Sequence, residues 1–156
     1  MNYNAIIKDD LINGEGVRVS LFVSGCSHGC QGCFNEETWD YRYGHEFTNE
    51  VLNELFIALD KPYVSGLSFL GGDPLMKKNI SVVLDICGKF KERFPEKNIW
   101  CWTGYTLEEV QNNHAKDILK YCDVLIDGKF VQELKDLTLP FRGSSNQRIL
   151  KKGVNF

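Results

Sequence analysis

Three cysteines, Cys26, Cys30 and Cys33, form a C-x3-C-x2-C run directly after an apolar stretch, Val17 to Val23. No other feature constrains the fold as tightly, because a strand must end where the run begins and the next loop must turn three thiols toward one place. Zinc sites and electron-transfer clusters normally take four protein ligands. A run of three points instead to an iron-sulfur cube with one iron left open for a further ligand. The alternative is a zinc knuckle completed by His28 or His45, although zinc sites more often use paired C-x2-C ligands. A disulfide fits less well. Met1 to Leu11 mixes Asn4, Lys8, Asp9 and Asp10 with its apolar residues and does not read as an export signal, so the expected compartment is the cytoplasm, where thiols stay reduced.

The length suits one domain spanning residues 1–156, and 43% hydrophobic residues with ten phenylalanines can supply a core. No run approaches the roughly 18 to 20 apolar residues of a membrane span. A net charge of -3 without a long basic run argues against nucleic acid as the main partner. The expectation is a soluble protein with neither membrane nor nucleic acid as its target.

After the cysteine loop, helical and strand-like segments alternate, as in a parallel sheet covered by helices. Thr48 is a good N-cap, and Leu52, Leu55, Phe56 and Leu59 recur behind it at helical spacing. Val64 to Leu70 reads as a strand ending in Gly71-Gly72-Asp73-Pro74, and Ile80 to Phe94 as a helix closed by Pro95. Ile99 to Trp102 and Val124 to Ile126 are further strands, separated by a helix predicted from the Thr106–Glu109 capping box to about Tyr121. A complete eight-stranded barrel takes about 200 to 250 residues. The predicted fold is therefore α/β, an incomplete, laterally open (βα) barrel of about five or six mainly parallel strands. Ligands of parallel α/β sheets bind at the carboxyl ends of the strands. The cysteine loop, Gly71 to Asp73, Thr103-Gly104 and Asp127-Gly128 all follow strands, so one edge is predicted to hold the site.

The cysteine run, followed one strand later by a Gly-Gly-acid-Pro turn, resembles the radical S-adenosylmethionine enzymes. Asn13-Gly14-Glu15-Gly16-Val17-Arg18, Gly25 to Asn35, Asp123 to Gly128 and Arg142 to Arg148 narrow the resemblance to the small glycyl-radical activases, over nearly the whole chain. The resemblance implies one 4Fe-4S cluster on Cys26, Cys30 and Cys33, with S-adenosyl-L-methionine as second cofactor. It implies as partners the large glycyl-radical subunit of anaerobic ribonucleotide reductase and an external low-potential electron donor, and leaves room for a homodimer within a hetero-oligomer. Cofactor contacts are expected from Gly32, Cys33 and Phe34 around the adenine, from Gly71, Gly72 and Asp73 at the methionine end, and from Thr103 and Asp127 at the strand ends. No catalytic residue beyond the cluster and cofactor is expected, because the cofactor carries the hard chemistry. The chain departs from many radical S-adenosylmethionine enzymes in Gly32, where an aromatic residue is common but the activases often share the Gly, and from many relatives in Glu15, where Pro is common, and in Asp73, where Glu is common.

Cys87, Cys101 and Cys122 lie in apolar contexts and are expected to be small buried hydrophobes. His28, inside the cysteine loop, is expected to support cluster sulfur or donate to backbone. Arg142 to Arg148 reads either as a solvated loop or as a lip over the site, where Arg142 or Arg148 pairs with a ligand carboxylate or with the partner. A radical enzyme acting on a small molecule and a simple electron carrier are the competing functions. The short chain leaves few residues for the loops a small substrate needs, and three clustered cysteines suit a carrier poorly.

Overall fold

Why the cysteine run sits where it does follows from the strand before it. In a computed structural model describing residues 1–156, that strand is β2 (Val17–Val23), second in chain order after β1 (Asn2–Asp10). They are followed by β3 (His45–Glu46), α1 (Asn49–Leu59), β4 (Val64–Gly71), α2 (Ile80–Arg93), β5 (Asn98–Trp102), α3 (Leu107–Gln111), β6 (Val124–Asp127) and β7 (Arg148–Lys151). One seven-stranded sheet runs in the order β3-β1-β2-β4-β5-β6-β7, with its two ends unpaired. The pairings β2-β4, β4-β5 and β5-β6 are parallel. β1 and β3 join one edge antiparallel, and β7 joins the other.

Alternation of side chains along each strand separates two environments. Val19, Leu21 and Val23 of β2, Leu67 and Phe69 of β4, Ile99 and Cys101 of β5 and Leu125 of β6 pack with Leu55, Leu59, Val83, Ile86 and Phe90 of the helices. The intervening residues face the other way. There Trp100, Val124 and Ile126 form a smaller cluster with Trp102, Phe141 and Ile149.

The sheet has seven strands where the chain length predicts about five or six. β1 is half-exposed with two register irregularities, β3 has two residues, and β7 buries only Leu150 of its four. Edge strands of this kind carry a weak apolar signal. The long helix predicted from Thr106 to about Tyr121 is corrected as well. Thr106 and Glu109 do close the capping box, but α3 ends at Gln111, and a 3-10 turn at Lys116–Lys120 takes over. The cause lies between them, where the Asn113 side chain accepts from the Ala115 amide at 2.7 Å and competes with the helical ladder.

On the face away from the helices, Arg18 is fully buried. Its Nε donates to Ser68 Oγ at 2.6 Å, Nη1 to Asn98 Oδ1 at 2.7 Å and to the Glu15 carbonyl at 3.2 Å, and Nη2 to the Leu67 carbonyl at 2.9 Å. The guanidinium also lies 5.3 Å from the Trp100 ring centre. Burial pushes its pKa down to about 10, opposed by the charges of Asp10, Asp123 and Glu15, which leaves it a cation at neutral pH. Ser68 passes the link on to the Asn13 carbonyl at 2.7 Å. Asp10 secures the same loop, accepting from the Ile12 amide at 2.8 Å and from Asn13 Nδ2 at 2.7 Å, and from Ser20 Oγ at 2.6 Å. The loop between β1 and β2 is thus fastened from beneath, and its residues Ile12 and Asn13 reach the site described below. Arg18→Met should cost about 3 kcal/mol of stability, because it leaves several buried acceptors without a donor. The measurement is the urea midpoint at unchanged slope, and a loss below about 1 kcal/mol would contradict the assignment.

Candidate functional site

A cavity of about 390 Å³ opens at the carboxyl ends of the parallel strands, within the size range of small-molecule sites. Cys26, Cys30 and Cys33 line it from the loop after β2, Gly71 to Asp73 after β4, Thr103 and Gly104 after β5, and Gly128 after β6. Four segments distant in sequence therefore meet in one place.

The Asp73 carboxylate joins three of them. It is 1% exposed. Its Oδ2 accepts from Thr103 Oγ1 at 2.9 Å, from the Gly104 amide at 2.8 Å and from His28 Nε2 at 2.7 Å, while Oδ1 accepts from the Leu75 amide at 2.8 Å. A buried carboxylate is tolerated only with such partners. Sequence reading allows Asp73 either to orient its turn or to approach a ligand ammonium, and the four protein donors give it the positioning role. His28 takes part in this latch, its ring edge-on to Tyr105 with centroids 4.7 Å apart. Sequence reading expects His28 to support cluster sulfur or donate to backbone; its Nε2 contact is instead with Asp73.

The Gly71-Gly72 turn is shaped by the cysteine loop. The Gly72 amide donates to the Val23 carbonyl at 2.7 Å and the Asp73 amide to the Gly25 carbonyl at 2.9 Å. A Cβ at Gly72 would lie 2.6 Å from the Gly25 carbonyl oxygen, and Gly71 has a φ of +105° that disfavours any side chain. Both glycines line the cavity, but the close approach that requires Gly72 is to backbone of the cysteine loop. Asn79, 1% exposed at the start of α2, completes the junction by donating to the Ser24 and Asp73 carbonyls, each at 3.0 Å. Sequence reading starts α2 at Ile80 and misses this residue; an Asn at an N-cap position reads as a local cap, and only the tertiary fold aims it at the loop.

All six cysteines are free thiols. Burial pushes Cys26 up to about 12, with the His28 amide pulling the other way, and also raises Cys30. A thiolate at Cys26 therefore calls for a compensating cation. No three His, Cys, Asp or Glu side chains are gathered to enclose a single metal ion. A cube takes each thiolate at a separate iron, so a donor set of three soft ligands lining one cavity fits a multi-iron cluster. Cys87, Cys101 and Cys122 are fully buried in the helix-side core, as expected of small hydrophobes.

The other expected contacts are distributed unevenly. Phe34 lines the cavity, 56% exposed, with its ring 5.1 Å from Phe130. Gly32 does not line it, and the Gln132 side chain covers the position where its Cβ would stand. Thr103 lines it, but its hydroxyl is held by Asp73. Asp127 is the clear correction. Its carboxylate accepts from the Leu107 amide at 2.7 Å and from Arg148 Nε at 3.0 Å, and it is absent from the cavity wall. The apolar lining residues Phe130, Leu139 and Phe141 escaped sequence reading because they sit in segments without periodicity.

Asp73→Asn replaces one acceptor oxygen by a donor among four donors. It should lower stability by at least about 2 kcal/mol and accelerate hydrogen exchange at the Gly104 and Leu75 amides; unchanged exchange at both would refute the latch. Gly72→Ala should lower iron uptake on anaerobic reconstitution as well as ligand binding, because the turn and the cysteine loop move together. Full iron content would show that the turn touches ligand alone.

With this geometry in view, comparison with known proteins is informative. Residues 12–150 match the family model described as a 4Fe-4S single cluster domain. The chain is 45% identical over 151 residues to the anaerobic ribonucleoside-triphosphate reductase-activating protein of Vibrio cholerae, covering 96% of this chain and 97% of that one. It is 46% identical over 149 residues to the protein of that name from Enterobacteria phage T4, covering 96% and 93%. The Escherichia coli K12 protein of that name is 42% identical over 149 residues, covering 94% and 96%. Sequence, cysteine loop and near-complete overlap agree: the chain belongs to the family of anaerobic ribonucleoside-triphosphate reductase-activating proteins.

Proposed function

We propose that this chain activates anaerobic ribonucleotide reductase by reductive cleavage of S-adenosylmethionine at one 4Fe-4S cluster, generating a glycyl radical on the large reductase subunit. The observation that carries the reading is that Cys26, Cys30 and Cys33, and no fourth cysteine, line the cavity that the Gly71-Gly72 turn also enters. When bound on three thiolates, the cluster supplies an open iron for the amino and carboxylate groups of S-adenosylmethionine and the electron that breaks its carbon-sulfur bond.

The protein's part is placement and exclusion of water. Asp73, His28 and Thr103 hold three strand-end segments in register around the cavity. Trp102, Phe130 and Phe141 supply apolar lining to the same cavity, and the Phe34 ring offers a flat surface for the adenine. No acid or base is assigned, since the one carboxylate in the wall is fully bonded.

The reading includes an incomplete barrel whose open side admits a segment of the partner. Supporting it are the unpaired sheet ends, and the exposed Ile12, Phe34 and Leu137 on the cavity wall, at 78%, 56% and 76% exposure. An apolar rim of this kind favours another chain as the lid. The setting is the cytoplasm under anaerobic conditions, with an external low-potential donor. No helix is long and apolar enough to cross a membrane.

Anaerobic reconstitution should give a 4Fe-4S spectrum in the parent and in Cys87→Ala, Cys101→Ala and Cys122→Ala. Cys26→Ala, Cys30→Ala and Cys33→Ala should lack it. Mixing the reduced parent with S-adenosylmethionine and the large reductase subunit should yield a glycine-centred radical by electron paramagnetic resonance. Deoxyadenosine formed with a modified small metabolite and no such radical would favour the small-molecule enzyme instead.

A further inference from the structure

The two arginines of the segment 142–148 have opposite fates. Arg148 is committed to the fold: Nε and Nη2 pair with Asp127 at 3.0 and 2.5 Å, and Nη2 reaches Glu108 at 2.8 Å. Arg142 has no ion pair. Its Nη1 donates to the Gln147 carbonyl at 2.8 Å, and its Nε is buried with no hydrogen-bond partner. Orphaned buried donors are rare in folded proteins, and on a guanidinium they mark a place where an acceptor is missing. Arg142 is also the only Lys or Arg lining the cavity.

The backbone before it is held under strain. Phe141 has a φ of +60°, a region that bulky residues avoid. Trp102 Nε1 donates to the Phe141 carbonyl at 2.7 Å, and the Phe141 ring lies edge-on to Trp100 with centroids 5.1 Å apart. Two tryptophans thus hold the strained residue in place and with it the position of Arg142. The protein offers no counter-charge in return. Asp136 makes no ion pair with it and accepts instead from the Thr138 amide and hydroxyl, and Asp73, the one acid on the cavity wall, has both oxygens bonded elsewhere.

We infer that Arg142 binds a carboxylate group inside the cavity, donating from Nε and a terminal nitrogen in the fork geometry that suits a carboxylate. The inference rests on the function proposed above. That function brings two carboxylate sources to the cavity, the methionyl end of S-adenosylmethionine and an acidic side chain on the partner's glycine-bearing segment. In both cases Arg142 is a binding residue that forms no covalent bond.

The test uses full-length protein with its reconstituted cluster, as parent, Arg142→Gln and Arg142→Lys, each checked for unchanged cluster absorbance and thermal midpoint. Equilibrium binding is measured anaerobically for S-adenosylmethionine, for its decarboxylated analogue, and for the large reductase subunit. If the carboxylate is the cofactor's, Arg142→Gln should weaken S-adenosylmethionine by about tenfold or more while changing the decarboxylated analogue less than about twofold. Arg142→Lys, which keeps the charge, should lose less. If the carboxylate is the partner's, Arg142→Gln should leave both small ligands unchanged and weaken the reductase subunit by a similar factor. Equal weakening of both small ligands, or no change in any of the three affinities, overturns the inference. Failure of the underlying function is separately visible, because the parent itself would then not bind S-adenosylmethionine.

Discussion

The site depends on one buried carboxylate. Asp73 takes four hydrogen bonds, from the hydroxyl of Thr103, the amides of Gly104 and Leu75 and the ring of His28, so the loops after β2, β4 and β5 cannot move independently. Buried charge is costly in isolation and stabilising only when every oxygen is met. The same condition that makes Asp73 tolerable therefore makes the cavity rigid. It also explains the division of labour among residues that look alike in sequence, with acids at strand ends holding the frame and thiols left free to take a ligand.

A second polar centre works below the first. Arg18 and Asp10 fasten the loop between β1 and β2 from the face of the sheet that the helices leave uncovered. That face would otherwise be an apolar surface with little to pack on it. The sheet therefore has a hydrocarbon core on its helix side and, on the other, this polar centre beside the small Trp100, Val124 and Ile126 cluster, with the cavity at the carboxyl ends of the strands. The strained Phe141 and Trp102, which holds its carbonyl, also line the cavity, and beside them stands a guanidinium without an ion pair.

Family membership and this geometry support each other at different levels. The relatives establish what kind of protein the chain is, over almost its entire length. They say nothing about which side chains do what within it. The structure separates Asp127, committed to Arg148 and the start of α3, from Asp73, which organises the cavity, though each is an acid ending a parallel strand.

What the sequence alone determined was whatever depends on local spacing: the three-cysteine loop, the central strands β2, β4, β5 and β6, the caps at Thr48 and Thr106, and the burial of Cys87, Cys101 and Cys122. Apolar periodicity and ligand spacing are written into neighbouring residues, so they can be read without the fold. The edge strands could not be read this way, because half-exposed strands owe their existence to the neighbour they pair with. The tertiary structure alone decided that Gly72 serves the cysteine loop, that Asp127 turns away, that Gly32 lies under Gln132, and that Arg142 rather than Arg148 enters the cavity. Each of these is a choice among partners far apart in the chain, and a buried polar group is directed by the donors and acceptors the fold brings to it, not by the residues beside it.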